Sequence, residues 1–279
     1  MEVSYHGGMF KVSTLLALAL LQGFLLFQIE KKEFLTVAFL DVGQGDAIYI
    51  QAPNGNDMLI DGGGSEGVLR SLSKVMAPSD RNIDVVFATH PDQDHIGGLV
   101  SVLDRYTVSN FFDPGVVNNT LVYRELAKRV AEKTNYVVAR KGMKIFLQEN
   151  VVAEILFPDR KIEGDTNNAS IVLKISYGTT DILLTGDAGK GVERHLLKQN
   201  IESEILKAGH HGSKTSSDPL FLSAVSPEYA IISAGKENRY GHPSREVLDA
   251  LASVGAKIFQ TSEEGTIVFV SDGNSFVRK

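Results

Sequence analysis

The chain has 279 residues, 43% of them hydrophobic and 22% charged, enough for one large core or for two smaller units packed together. Its 28 Lys and Arg against 34 Asp and Glu give a net charge of −6, which excludes general coating of nucleic acid while leaving room for a locally basic groove. No cysteine occurs, so disulfides and thiolate metal sites are excluded, and any transition metal must be held by imidazole, carboxylate and water.

Residues 12–29 contain no charged side chain and are dominated by Leu, Ala, Phe, Val and Ile. That length is near the lower limit for a helix that spans a bilayer. The expectation is an N-terminal tail and membrane-anchor helix over residues 1–33, in contact with the lipid bilayer. Two rivals are a cleaved signal peptide, for which no small-x-small site ends the run, and a buried helix, which would alternate apolar and polar faces. Lys11 precedes the run and Lys31 and Lys32 follow it. The remaining domain is expected outside the cytoplasm, membrane-anchored, or secreted if the segment is cleaved.

Beyond the anchor, short β-like runs alternate with helical ones. Residues 37–40, 47–51 and 58–60 read as strands separated by glycine-rich turns, and 67–76 as a helix. The apolar run 83–88 suits a buried strand. Ile96, Leu99, Val100 and Leu103 then fall at helical spacing. A helix is expected at 121–132, strands at 137–138 and 154–157, and a hairpin of 170–176 with 181–184. Helices at 192–199, 218–224 and 245–254 alternate with strands at 204–207, 229–233, 257–260 and 266–270. Two β-rich halves, each followed by helices, predict a layered α/β sandwich with helices outside and sheets inside, occupying residues 34–279.

Five of the seven histidines stand in three polar clusters, each after an apolar strand: His90 and His95, His210 and His211, and His242. Asp187 follows another apolar run, 182–184. Strand ends that leave one edge of a sheet together bring such residues into one place, as hydrolase sites with two cations require. The segment Thr89-His90-Pro91-Asp92-Gln93-Asp94-His95-Ile96-Gly97-Gly98 holds four potential ligands within six residues. A helix-capping role would account for one aspartate, but not for two histidines and two aspartates.

This segment resembles the His-x-His-x-Asp-His signature of metallo-β-lactamase-fold hydrolases, with Asp92 in place of the second histidine. Four further stretches resemble the soluble hydrolase domain of ComEC-type DNA-uptake proteins. They are Phe39-Leu40-Asp41-Val42-Gly43-Gln44-Gly45-Asp46-Ala47, Ile60-Asp61-Gly62-Gly63, Leu184-Thr185-Gly186-Asp187 and Lys207-Ala208-Gly209-His210-His211-Gly212-Ser213. The resemblance spans residues 35–270 and implies a four-layer αββα metallo-β-lactamase sandwich. It implies that Asp94 and His95 hold one cation, closed by His242, that His90 and Asp92 hold the other, and that Asp187 bridges both. The family's next histidine would fall near Asn167-Asn168-Ala169-Ser170, where this sequence has none. Asn168, water or His210 must then serve. Fewer imidazoles and more oxygen ligands shift the expected pair of divalent ions from zinc towards manganese.

Neighbours on an extended strand face opposite ways, so one of His210 and His211 is expected at the site, with His210 favoured. His6 and His195 are expected at the surface. Asp41 and Asp61 lie in strand-end turns, where they either orient metal ligands through hydrogen bonds or simply form turns. Gln44 and Ser213 match the resemblance without an assigned role.

A water held between two divalent ions loses a proton near neutral pH while the ions polarise the electrophile. Asp94 is the residue expected to orient it, with His210 as its catalytic companion. The expected reaction is hydrolysis of phosphodiesters, with DNA as substrate, in company with a separate membrane channel. Lys207, Lys214, Lys236, Arg239 and Arg245, against three acidic residues in the same stretch, form a candidate phosphate-binding lip or ordinary solvated surface. The rivals are hydrolysis of a small ester, such as a phosphocholine ester or a lactone, and a catalytically degenerate module that binds DNA or a partner at the membrane.

Overall fold

In a computed structural model, residues 34–279 are described. The expected anchor at 12–29 and His6 lie outside the described residues. Among the described residues no helix is long and apolar enough to cross a membrane.

Strands β1 (Leu35–Phe39), β2 (Ile48–Gln51), β3 (Asp57–Ile60), β4 (Asn82–Phe87), β5 (Thr107–Asp113) and β6 (Asn135–Val138) build most of the first sheet. The second sheet contains β7 (Lys144–Gln148), β8 (Val151–Phe157), β9 (Val172–Tyr177), β10 (Thr180–Leu184), β11 (Ile205–Lys207), β12 (Tyr229–Ile232) and β13 (Lys257–Gln260). The chain then returns to the first sheet, where β14 (Ile267–Ser271) pairs with β1 and carries β15 (Phe276–Arg278) at the edge.

Period-two alternation decides which side chain faces which layer. Val37 and Phe39 enter the core between the sheets, with Ile60 and Phe87 from the same sheet and Ile155, Ile175 and Leu184 from the other. Ala38 and Leu40 face the opposite way, under helices α1 (Gly67–Leu72), α2 (Gln93–Arg105) and α3 (Leu121–Lys133). Ile96, Leu99 and Leu103 of α2 are the apolar stripe that closes this face. On the far side, Leu183, Leu206 and Ile232 pack beneath α4 (Lys190–Leu196), α5 (Pro219–Val225) and α6 (Arg245–Ser253). The result is the expected order of helix, sheet, sheet, helix; a short α7 (Thr261–Glu264) follows β13.

Three strands escape the sequence pattern: β5, β7 and β15. In β5, Ser109 and Asn110 interrupt the apolar alternation, while Phe146 of β7 is 62% exposed. Helix α1 ends at Leu72, short of the expected 76. The hairpin of β9 and β10 turns at Gly178-Thr179, where Gly178 has φ +60 and an added Cβ would stand 2.2 Å from the Gly273 carbonyl oxygen.

Strands β3 to β6 are parallel to one another, as are β10 to β13. Their C-terminal ends deliver Asp61, His90, Asp187, His210 and the segment leading to His242. Ligand sites of open parallel sheets form at such ends.

Candidate metal centre

Asp187 is the hub. It is buried, 3% exposed, and four imidazoles turn a nitrogen towards it. His95 Nε2 is 3.3 Å from Asp187 Oδ1; His211, His210 and His90 place Nε2 at 3.5, 3.8 and 4.0 Å from Oδ2. Asp94 closes one side, its Oδ2 3.3 Å from His211 Nε2. Asp92 closes the other, its Oδ2 3.8 Å from His90 Nε2.

Each ring is fixed from behind through Nδ1. His95 Nδ1–H donates to Asp61 Oδ2 at 2.7 Å, and His211 Nδ1–H to the Ser233 carbonyl at 2.8 Å. Thr89 Oγ1 gives its own hydrogen to Asp61 Oδ2, 2.7 Å, and so accepts from His90 Nδ1–H at 3.1 Å. Thr215 Oγ1 likewise donates to Ser213 Oγ, 3.0 Å, and accepts from His210 Nδ1–H at 2.9 Å. A proton anchored at Nδ1 leaves the Nε2 lone pair pointing inward, as metal-ligating histidines need. The Nε2 atoms of His90, His95 and His211 and Asp187 Oδ1 are buried with no hydrogen bond of acceptable geometry. Such a set asks for a cation.

The spacing fits one. Ligands about 2.0–2.1 Å from a tetrahedral ion stand about 3.3–3.4 Å apart. The contacts among Asp94, His95, Asp187 and His211 are 3.3, 3.3 and 3.5 Å, whereas those of His90, Asp92, His210 and Asp187 are 3.8–4.0 Å. The recorded contacts around Asp187 are therefore tight on the His95 and His211 side and looser on the His90 and His210 side. Asp46 belongs to the tightest group of ligand atoms, with His95, Asp187 and His211. It stands behind His211, 3.4 Å from Nδ1, and is ion-paired to Lys207. Asp46 Oδ1 is buried without a hydrogen bond of acceptable geometry, so Asp46 adds a further carboxylate to this group, while Asp94 approaches His211 from the cleft side.

The charge balance agrees. Burial by itself pushes the His211 imidazole down, yet the carboxylates of Asp187, Asp46 and Asp94 lift it to about 9. Burial also opposes the rise of His95, where Asp187 and Asp61 prevail. Burial, with the neighbouring charge of His95, pushes His90 down to about 3. Burial would raise Asp187 and Asp94, but the surrounding imidazoles hold both below the usual carboxylate range. A proton on these nitrogens and a cation between them satisfy the same carboxylates, so the two compete.

Local backbone makes this possible. His210 and His211 do not sit on an extended strand. Both are in the left-handed region, φ 47 and 54, within the 3₁₀ turn Gly209–Gly212. Consecutive non-glycine residues there are strained, and the turn sends both rings to the same carboxylate. His211, 1% exposed, is the more deeply placed of the two. On the other wall, Gly97 and Gly98 let α2 touch the 62–64 segment backbone to backbone. An added Cβ at Gly98 would stand 2.0 Å from the Gly62 carbonyl oxygen.

The remaining candidates separate. Asp61 touches His95 and Thr89, but Asp41 is exposed, accepts from Gly43 N–H and forms a turn. Asn168 is exposed; its neighbour Asn167 lines the cleft, with Nδ2 3.5 Å from His210 Nε2. His242 stands at the rim, its ring 5.7 Å from that of His210, outside the tightest group. Lys207 is fully buried against Asp46, which removes it from any phosphate-binding lip; Lys214 is exposed. His195 is exposed, with Nε2 3.2 Å from Asp159. Sequence reasoning did not single out Asp46, Thr89 or Asn167. Asp46 and Thr89 lie inside the quoted motifs, and that was the available signal.

The cleft above Asp187 measures about 220 Å³ and is lined by Gln44, Asp94, His210, Tyr240 and His242, among others.

Residues 40–236 match the family described as Metallo-beta-lactamase superfamily. The chain is 31% identical over 253 residues to ComE operon protein 3 of Bacillus subtilis (strain 168), covering 84% of this chain and 32% of that protein. It is 31% identical over 262 residues to Competence protein ComA of Neisseria gonorrhoeae, covering 91% and 35%. The chain thus spans about a third of the length of these relatives. Among solved structures, the metallo-beta-lactamase fold protein YhfI from Bacillus subtilis shares the fold, with TM-score 0.61 at 11% identity, covering 85% of this chain and 99% of that one.

Proposed function

The chain belongs to the metallo-beta-lactamase superfamily, and on that premise we propose that it hydrolyses phosphodiester bonds of DNA with two divalent ions, manganese or zinc. The observation that carries this is the convergence of three buried, unpartnered imidazole nitrogens on Asp187 at the floor of a cleft. His95, His211, Asp94 and Asp187 would hold one ion, and His90, Asp92, His210 and Asp187 the other. Such ions supply Lewis acidity and lower the pKa of water towards neutrality. The oxygen-rich donor set, without thiolate, suits manganese on the looser side.

The protein's own groups supply the rest. Asp94, ionised and one-third exposed at the cleft mouth, accepts a hydrogen bond from the attacking water and aims it. His210, with 28% of its side chain exposed, would hold its ion through Nε2 at the open side of the cleft, and the leaving oxygen takes its proton from solvent water. Asp61, Thr89 and the Ser233 carbonyl keep the imidazoles of His95, His90 and His211 from turning. At about 220 Å³ the cleft is smaller than the roughly 300–1,000 Å³ that encloses a small organic ligand. This favours gripping one phosphate of a larger molecule over swallowing a small ester. The relatives' printed names, which include competence, support DNA as substrate. The apolar run at 12–29 supports action at a membrane.

The test is cleavage of single- and double-stranded DNA by chain loaded with manganese or zinc, compared with Asp94→Ala. Wild type should cut, and Asp94→Ala should lose about 100-fold or more in kcat. Equal cutting by both removes Asp94 from the chemistry. Turnover of a lactone or phosphocholine ester without any cleavage of DNA sinks the substrate assignment.

A further inference from the structure

The segment from Gly235 to His242 borders the cleft and is built more firmly than a surface loop requires. Asn238 uses its entire side-chain hydrogen-bonding capacity on this backbone. Nδ2 donates to the carbonyls of Gly235, 2.8 Å, and His242, 2.6 Å; Oδ1 accepts from the N–H groups of Tyr240, 3.2 Å, and His242, 2.9 Å. Gln44, on the opposite wall, accepts from Gly235 N–H at 3.1 Å. What this bracing holds up is an aromatic ring. Tyr240 is 54% exposed, lines the cleft beside Asp94, Asp187 and His210, and stacks on His242 at 5.7 Å and 21°. The Arg239 guanidinium stands 5.0 Å from its ring centroid and donates to its hydroxyl oxygen at 2.9 Å.

A half-exposed aromatic ring fixed at the mouth of the proposed phosphate-cleaving centre, with an exposed guanidinium over it, has the chemistry of a nucleotide reader. The ring offers a stacking surface to a base and the cation a partner to the neighbouring phosphate. Both are pre-set, so little ordering entropy opposes binding. We propose that Tyr240, braced by Asn238, is the stacking platform for a nucleobase beside the scissile phosphate, and that the substrate is therefore single-stranded. A base pair inside a duplex keeps both faces stacked and cannot lie on this ring, and a duplex offers only the outer face of each end, whereas every base of a single strand is available to it. The inference rests on the phosphodiesterase reading above and adds to it the identity of the group next to the cleaved bond.

The experiment compares two single-stranded oligonucleotides on the metal-loaded chain, one intact and one abasic next to the cleaved bond, in wild type, Tyr240→Leu and Tyr240→Phe. The readout is the ratio of KM values, abasic over intact, so any shift of His242 caused by the substitution divides out. Wild type should favour the intact strand by roughly 5- to 150-fold. Tyr240→Leu should bring the ratio towards one, and Tyr240→Phe should keep it. A ratio unchanged in Tyr240→Leu overturns the platform while leaving the phosphodiesterase standing. A ratio lost equally in Tyr240→Phe also overturns it, because the hydroxyl would then be the reader. Equal use of duplex and single strand overturns the strand preference. Failure of wild type to cleave either oligonucleotide, or a bare phosphodiester such as bis(p-nitrophenyl) phosphate, removes the parent reading and this one with it.

Discussion

Replacing Asp61 by Asn keeps the shape of a fully buried side chain and removes its charge. The carboxylate accepts three hydrogen bonds, from Thr89 N–H, Thr89 Oγ1–H and His95 Nδ1–H, each 2.7 Å. Two of these converge on Oδ2. Asparagine can offer an oxygen to one side only, so its NH₂ group must face a donor on the other. If that donor is His95, the ring is pressed to accept at Nδ1 and to carry its proton on Nε2, the atom that faces Asp187. Losing a hydrogen bond to a charged group costs about 1.5–3 kcal/mol, or roughly 10- to 100-fold in an equilibrium. The same range is typical for partners that orient metal-bound histidines. Competition with a chromogenic chelator at neutral pH should therefore show zinc or manganese affinity weakened about 10- to 100-fold. Asp41→Asn, at an exposed turn, should stay within about twofold. Unchanged affinity in Asp61→Asn, with an unchanged melting temperature, would refute the idea that Asp61 sets the His95 tautomer.

Two further predictions concern the scaffold. Burial lifts the Glu193 carboxyl from 4.5 to about 7, against the N–H groups of Ser217 and Asp218 that bond it at 2.7 Å each. Between those two values the folded chain binds more protons than the unfolded one, so stability falls as pH rises and levels off above about 7. In chelator-treated protein, urea unfolding should show the advantage of wild type over Glu193→Gln shrinking by about 3 kcal/mol between pH 4.5 and 8; a constant difference would contradict it. Gly98→Ala drives a methyl group into the Gly62 carbonyl, and backbone on both sides leaves nowhere to yield. About 3 kcal/mol of destabilisation, seen as a fall of about 6–12 °C in Tm, is expected; a fall under about 2 °C would show that the contact relaxes.

The layers were legible because alternation and helical spacing report burial directly, as Val37, Phe39, Ile96 and Leu99 illustrate. Strand β5 was hidden where Ser109 and Asn110 face partly outward in a strand held by its neighbours. At the site, His90, His95 and Asp187 announced themselves by following apolar strands. The partition between His210 and His211 did not, because it depends on a left-handed turn that spacing cannot encode. Asn167 displaced Asn168 for a similar reason: a 3₁₀ turn, Thr166–Ala169, decides which amide looks inward. Asp46 carried no reading of its own, and Lys207 read as part of a phosphate-binding lip or of the solvated surface. Only their meeting across the two sheets shows a buried pair.

That meeting has a consequence for how the molecule matures. Asp94 and His211, or Asp46 and Lys207, come from opposite halves of the chain, separated by about a hundred residues or more. The first sheet is not complete until β14, near the C-terminus, has paired with β1. Neither half alone carries the candidate ligand group of Asp46, His95, Asp187 and His211, so the group exists only once both halves have come together. A truncated copy would keep some of these histidines and lack the rest of the ligand set, so the proposed centre would arise only with the assembled fold.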